Sequence, residues 1–353
     1  MHDLQTYLQQ AIKDGASDVF FITGKAVCEK VSGELRLVFP DDEFLRPANT
    51  MEFVQQIYEK ANRSFDKCDG DDDFSFALPG LARFRVNAYR QRGSQAVVIR
   101  IVKFEVPDYN TCRIPEQVMK LADLKHGMVL VTGTAGTGKS TTMACIVDRI
   151  NKTRPCHIVT IEDPIEFLYR NDKSVVSQRE VAIDTDDFLT GLRSCLRQAP
   201  DVIQLGEMRD GETIRMAMTA AETGHLLITT LHTKGAVNTI DRIVDVFPAD
   251  QQDQVRIQLS NVLDTVVSQQ LIPRADGQGR VAAFEILHLN SAVKSMIREC
   301  KTHQIQNVIA SGAAEGMITM DQSIINLYKQ GLISADNALL YADNIEQVQR
   351  RIG

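Results

Sequence analysis

The spacing of apolar residues divides the chain into two regimes. Over residues 1–15, Leu4, Leu8 and Ile12, with Tyr7 and Ala11 beside them, recur at helical spacing, and Gly15 stops the pattern. Residues 17–24 read as a strand ending in a turn, 27–38 as a hairpin about Ser32 and Gly33, and 51–61 as a second helix. Residues 83–89 alternate apolar and polar as a half-buried strand does, residues 91–94 turn the chain, and 96–101 supply the partner strand. This hairpin carries Arg85, Arg92 and Arg100, which on a strand read first as a solvated face. The acidic stretch from Cys68 to Asp73 reads as a solvated turn, because it lacks the twelve-residue loop with a closing Glu that a helix-loop-helix calcium site uses. An α+β domain is therefore expected over residues 1–104.

A proline-bearing stretch of poor periodicity, 105–115, is the expected linker. Beyond it, over 116–353, short unbroken apolar runs alternate with helical segments, as in a mostly parallel α/β sheet. The expected strands are 128–132, 157–161, 202–205 and 226–230. From Ala249 onward the pattern reads as mainly helical apart from 281–286, and neither a repeat nor a low-complexity tract appears.

The first of those strands runs into Gly133, Thr134, Ala135, Gly136, Thr137, Gly138, Lys139 and Ser140, which fits G-x-x-x-x-G-K-[ST], with Thr141 opening a helix. Glycines let backbone N–H groups turn toward phosphate oxygens, and the helix N-terminus that follows favours an anion. Lys139 would then reach the β- and γ-phosphates, and the Ser140 hydroxyl would meet Mg²⁺.

Ligands in such sheets gather beyond the carboxyl ends of the strands. The second strand there is followed by Glu162, Asp163, Pro164, Ile165 and Glu166. The third is followed by Gly206, Glu207, Met208 and Arg209, and the fourth by Leu231, His232 and Thr233. Hydrolysis of a nucleoside triphosphate needs a carboxylate to orient water, another for the Mg²⁺ shell, and a group that senses the γ-phosphate. Glu166 and Glu162 are the candidates for the first role, Glu207 for the second and His232 for the third. Gln204 interrupts a buried apolar run, so its amide requires a partner. His225, at the start of its strand, reads as structural, and Arg193 and Arg197 stand one helical turn apart.

Composition narrows the setting. With 353 residues, 44% hydrophobic and 24% charged, the chain has the make-up of a globular protein of two domains. A formal charge of −7 disfavours direct nucleic-acid binding. Seven scattered cysteines without C-x-x-C spacing indicate neither a zinc nor a redox site, and read as reduced thiols of a cytoplasmic protein. No apolar run approaches the roughly 20 residues that cross a bilayer, so membrane attachment would need a partner.

These motifs resemble the secretion ATPase superfamily and, within it, the type IV pilus retraction ATPases. The stretch from Thr160 to Glu166 is similar to the family's Asp box, Gly206 to Asp210 to its atypical Walker B, and Glu222 to Leu226 with Thr230 to Thr233 to its His box. Ala292 to Glu299 and Gly316 to Gln322 resemble segments of the retraction branch. Departures are Thr134 where relatives often carry Pro, and Phe20 where many carry His; Phe20 together with Leu196 to Asp201 leans toward the PilU side. The resemblance implies a C-terminal RecA-like P-loop ATPase domain with a smaller N-terminal α+β, PAS-like domain, using ATP and Mg²⁺. It also implies a homohexamer in which Arg85 and Arg100 complete the site as cationic clamps, and it favours Glu166 over Glu162. It further implies a place at the inner face of the cell membrane, against a pilus platform protein, with a paralogous retraction ATPase as a possible companion. A related secretion or DNA-uptake ATPase, and a partner-dependent nucleotide-binding scaffold, are the alternatives.

Overall fold

A computed structural model describes residues 2–31, 33–65, 70–78, 81–102 and 106–353. The chain divides into two compact units, Met1–Glu105 and Val106–Gly353. Ser32 of the expected hairpin turn, Cys68 and Asp69 of the acidic turn, and Phe104 and Glu105 at the expected domain boundary lie outside the described residues.

The first unit opens with helix α1 (Leu4–Lys13), started by the Asp3 carboxylate, which accepts the Thr6 N–H at 2.7 Å. Its buried face is Leu4, Tyr7, Leu8 and Ala11. Strands β1 (Asp18–Phe21), β2 (Cys28–Val31) and β3 (Glu34–Leu37) precede helix α2 (Pro47–Lys60), and β4 (Asp72–Leu78), β5 (Ala82–Gln91) and β6 (Ser94–Val102) follow it. They form one antiparallel sheet in the order β3-β2-β1-β6-β5-β4. The β5–β6 turn places Arg92 and Gly93 at positive φ (48° and 78°), the left-handed pair that a tight hairpin demands. Phe84, Val86 and Ala88 alternate into the core, so Arg83, Arg85 and Asn87 stay half-buried on the opposite face.

Asp72 and Asp73, expected in a solvated turn, instead begin β4. Asp72 accepts the Tyr58 hydroxyl at 2.8 Å and pairs with Arg63 at 3.1 Å, so its charge serves the fold, and Phe74 and Phe76 point inward.

In the second unit residues 106–115 form neither helix nor strand, and Val106, Tyr109, Cys112 and Ile114 pack on its core. A short helix α3 (Glu116–Met119) leads to β7 (Gly127–Thr132) and α4 (Lys139–Thr153). Then come β8 (His157–Glu162), β9 (Val175–Glu180), α5 (Phe188–Cys195), β10 (Val202–Leu205), α6 (Gly211–Glu222), β11 (Leu226–Leu231), α7 (Ala236–Asp245) and α8 (Ala249–Val262). Strands β12 (Leu263–Pro273) and β13 (Arg280–His288) close the sheet. Helices α9 (Ser291–Arg298), α10 (Ile305–Ser311), α11 (Met320–Lys329), α12 (Ala335–Tyr341) and α13 (Ile345–Ile352) end the chain. The strand order is β13-β12-β7-β11-β10-β8-β9. Every pairing is parallel except β12 with β13.

Both faces of this sheet are covered, which is why its central strands are continuously apolar. Met128 and Leu130 pack toward α5, α6 and α7, whereas Val129 and Val131 pack against Met143, Ile146, Val147 and Ile150 of α4. A third cluster joins Ile272, Val281 and Ala283 to α11, α12 and α13. The expectation of a mainly helical tail is corrected by β12, whose β-branched Thr265, Val266 and Val267 give way to Ser268, Gln269 and Gln270. Strand β9 was likewise not expected. The cysteines among the described residues are free, and burial pushes the Cys145 and Cys195 thiols up to about 12, leaving them inert. No helix among the described residues is long and apolar enough to cross a membrane.

Candidate active site

Strand β7 delivers Gly133 at φ 143°, and Gly136 and Gly138 follow at 76° and 87°. A Cβ on Gly133 would lie 2.4 Å from the carbonyl oxygen of Gln269, so only glycine lets the loop pass this close to β12. Gly138 starts α4 with no side-chain cap, which leaves the first N–H groups of the helix to an anion. Thr137 Oγ1 closes the loop on Thr134 O at 2.9 Å.

Lys139 is 7% exposed. Its ammonium donates to Gly133 O at 2.9 Å and Thr134 O at 3.0 Å and lies 3.5 Å from His232 Nδ1. Burial lowers its pKa, opposed by the charges of Glu207 and Glu166. His232 Nε2 lies 3.2 Å from Glu207 Oε2. A single tautomer satisfies both contacts, with Nδ1 accepting from Lys139 and Nε2–H donating to Glu207. The other Glu207 oxygen is held by Arg209, whose pKa is raised by that contact.

On the opposite wall Ser140 Oγ donates to Glu166 Oε1 at 2.9 Å, and Glu166 is exposed. Glu162 is buried. Its Oε1 accepts from Thr160 Oγ1 at 2.6 Å and Gln178 Nε2 at 3.2 Å, yet desolvation outweighs these bonds and pushes its pKa up to about 7. Lys139, Ser140, Glu162, Glu166, Glu207 and His232 line one cavity of about 250 Å³. They come from the ends of β7, β8, β10 and β11, adjacent in the sheet. None of them lines a second cavity, of about 880 Å³, bounded by Phe284, Glu285 and Asp321.

Arg85 and Arg100 belong to the first unit and face each other across β5 and β6. Like charges opposed in this way repel, and Asp18 offsets the repulsion by pairing with Arg100 at 2.9 Å. His225 is structural, its Nδ1 lying 2.9 Å from Ala220 O, and Arg193 pairs with Glu212 at 3.7 Å. The amide of Gln204 finds its partner in the Tyr169 hydroxyl, at 3.3 Å.

Three contributors were not legible in the motifs. Gln178 and Glu180 come from the unexpected β9 and hold the 163–169 loop: Gln178 Nε2 donates to Phe167 O at 2.8 Å, and Glu180 accepts the Ile165 N–H at 3.1 Å. Gln269 comes from the unexpected β12 and touches the phosphate loop at Thr137 and the first turn of α4 at Thr142. The usable signal was the β-branched start of each strand, Val175–Val176 and Thr265–Val267.

The arrangement suits a nucleoside triphosphate with Mg²⁺. Open glycine backbone and an uncapped helix end suit phosphate, and the oxygens of Ser140 and Glu207 are hard donors of the kind Mg²⁺ accepts. Among the described residues no cluster of three or more His, Cys, Asp or Glu could hold a metal ion.

The family described as "Type II/IV secretion system protein" matches residues 1–330. A "Twitching motility protein" of Neisseria gonorrhoeae is 51% identical over 319 residues, covering 90% of this chain and 85% of that protein. A "Type IV pilus retractation ATPase PilT" of Pseudomonas aeruginosa is 44% identical over 340 residues, covering 95% of this chain and 97% of that protein. The solved "Crystal Structure of the Pilus Retraction Motor PilT and Bound ADP" superposes with a TM-score of 0.90 at 40% identity, over 99% of this chain and 100% of that one.

Proposed function

The chain belongs to the type II/IV secretion system protein family and, within it, to the type IV pilus retraction ATPases, and from that premise we propose how its residues divide the work. It hydrolyses ATP to power pilus retraction. The observation that carries the reading is the chain of contacts from Lys139 through His232 to Glu207, facing Ser140 and Glu166 across one cavity.

Lys139 exchanges its two loop carbonyls for the β- and γ-phosphates, while the N–H groups of residues 133–141 take the remaining phosphate oxygens. Ser140 and Glu207 would hold Mg²⁺, which when bound would neutralise charge on the phosphoryl group being transferred. His232 reports on the γ-phosphate, because its two ring nitrogens already link Lys139 to Glu207. Glu166 orients the attacking water from beside Ser140. In a homohexameric ring Arg85 and Arg100 of a neighbouring copy would supply positive charge to the developing transition state. Successive hydrolysis moves one unit against the other and acts on a membrane platform protein at the inner face of the cell membrane, alone or beside a paralogous ATPase. The net charge of −7 supports a protein partner over nucleic acid.

A second reading of the water-orienting group rests on Glu162, whose pKa of about 7 suits a base working near neutral pH. Steady-state turnover and nucleotide binding separate the two. Lys139→Ala is expected to abolish both turnover and binding. Whichever of Glu166→Gln and Glu162→Gln lowers kcat by about 100-fold or more with ATP still bound marks the base. Wild-type turnover in Lys139→Ala would remove the site assignment altogether.

A further inference from the structure

Gln269 is 3% exposed and lies on β12, next to the strand that feeds the phosphate loop. Register explains why it reaches the loop. Val267 pairs with Val131 and Ser268 with Thr132, so the next residue along stands beside Gly133, where β7 ends. The Gln269 amide then spans the loop. Its Nε2 donates to Thr137 O at 2.7 Å and its Oε1 accepts from Thr142 Oγ1 at 2.7 Å. These two anchors bracket Gly138, Lys139, Ser140 and Thr141, the residues whose N–H groups and side chains meet phosphate and metal in the reading above. The contact is close enough that a Cβ on Gly138 would come within 2.9 Å of the same Nε2.

We propose that Gln269 is a positioning residue for nucleotide binding, its amide fixing the direction in which the end of the phosphate loop and the first turn of α4 present their donors. The inference rests on the reading of that loop as the triphosphate cradle. The chemistry demands an amide. The Thr137 carbonyl needs a donor and the Thr142 hydroxyl needs an acceptor, and one glutamine supplies both. A carboxylate would set a second acceptor against the Thr137 carbonyl and add negative charge beneath the phosphates. An apolar side chain would leave a buried carbonyl and a buried hydroxyl without partners. The adjacent Ser268, on the other face of β12, accepts the Gly235 N–H at 3.0 Å at the foot of the His232 loop. One strand thus steadies both phosphate-side loops.

The experiment compares Gln269→Met, Thr142→Val and the double variant in the full chain, by titration with ATP·Mg and with ADP and by steady-state turnover. Methionine keeps the length and bulk of glutamine and removes both hydrogen bonds. Gln269→Met is expected to raise both dissociation constants by about tenfold, the worth of roughly one net buried hydrogen bond. Its kcat at saturating ATP should stay within about threefold of wild type, because loss of uniform binding moves KM and leaves kcat. Thr142→Val should weaken binding less, and the double variant should bind no worse than Gln269→Met, because the bridge acts as one unit. Wild-type affinity in folded Gln269→Met, a fall in kcat with affinity intact, or fully additive effects would each overturn the proposal. If Gln269→Met does not fold, Thr142→Val decides alone, and unchanged affinity there sinks the idea. Lys139→Ala serves as the control. If it binds nucleotide as wild type does, the cradle reading fails; if it loses binding while Gln269→Met does not, only the present inference fails.

Discussion

Glu162 ends β8 as a buried carboxyl, bonded to Thr160 and Gln178, with Glu166 close enough to raise its pKa further through charge. Its folded pKa, about 7, lies above the roughly 4.3 of an unfolded glutamate. Below both values the group is protonated in either state and costs nothing. As pH rises from about 4.3 to about 7 the unfolded chain releases its proton first, so stability falls through that window and stays lower above it. Glu162→Gln removes the titration while keeping an oxygen that accepts both bonds. The melting temperature of the variant minus that of wild type should therefore grow between pH 4.5 and pH 8, read by thermal unfolding without nucleotide. A difference that stays flat across this range would show that Glu162 does not carry the shift. At this scale the sequence named the acids and His232 but not their company. His232 on Glu207 and Gln178 on Glu162 are contacts between distant residues, and no spacing rule encodes them.

The elements explain which parts were readable. The strands β7, β8, β10 and β11 are apolar on both faces and follow the rule for covered parallel strands, so their positions could be taken from the pattern. Strands β9 and β12 carry Gln178, Glu180, Ser268 and Gln269, whose polarity masks the strand. Those residues are polar because they hold loops of the site. Disguise and role share one cause. The close approach of β12 to the loop also yields a test at Gly133. A methyl there would meet the Gln269 carbonyl oxygen at 2.4 Å, at a φ of 143° that side chains avoid. Gly133→Ala should lose roughly 1–3 kcal/mol of stability from backbone strain. It should also bind nucleotide more than about tenfold more weakly, since each 1.4 kcal/mol is a factor of ten. Unfolding curves and ATP titration check both, and wild-type behaviour in both would mean that the loop does not need this approach.

At the scale of the whole molecule, the candidate site residues are divided between the two units. The second unit holds the loop, the acids and His232 in one cavity, while Arg85 and Arg100 ride on the first. If they clamp the transition state across copies, Arg85→Ala and Arg100→Ala should lower kcat by about 1,000-fold or more while ATP affinity stays close to wild type. Arg100→Ala should also lower stability, by about 1–3 kcal/mol, because it takes the cationic partner from the buried Asp18 carboxylate. Turnover, ATP titration and size-exclusion chromatography on the same preparations report all three. Full activity in both variants with the oligomer intact would remove these arginines from the mechanism.

The sequence by itself determined the phosphate loop, four parallel strands, the order of acidic and histidine-bearing strand ends, and the secretion ATPase likeness. These depend on local turn chemistry and on burial periods that neighbouring residues impose. The tertiary structure alone decided that Glu207 leans on His232, that Glu162 is driven toward neutrality, and that Gln269 braces the loop from beneath. Each of those depends on the dielectric and the partners supplied by residues remote in the chain, which exist for one another only once the sheet has assembled.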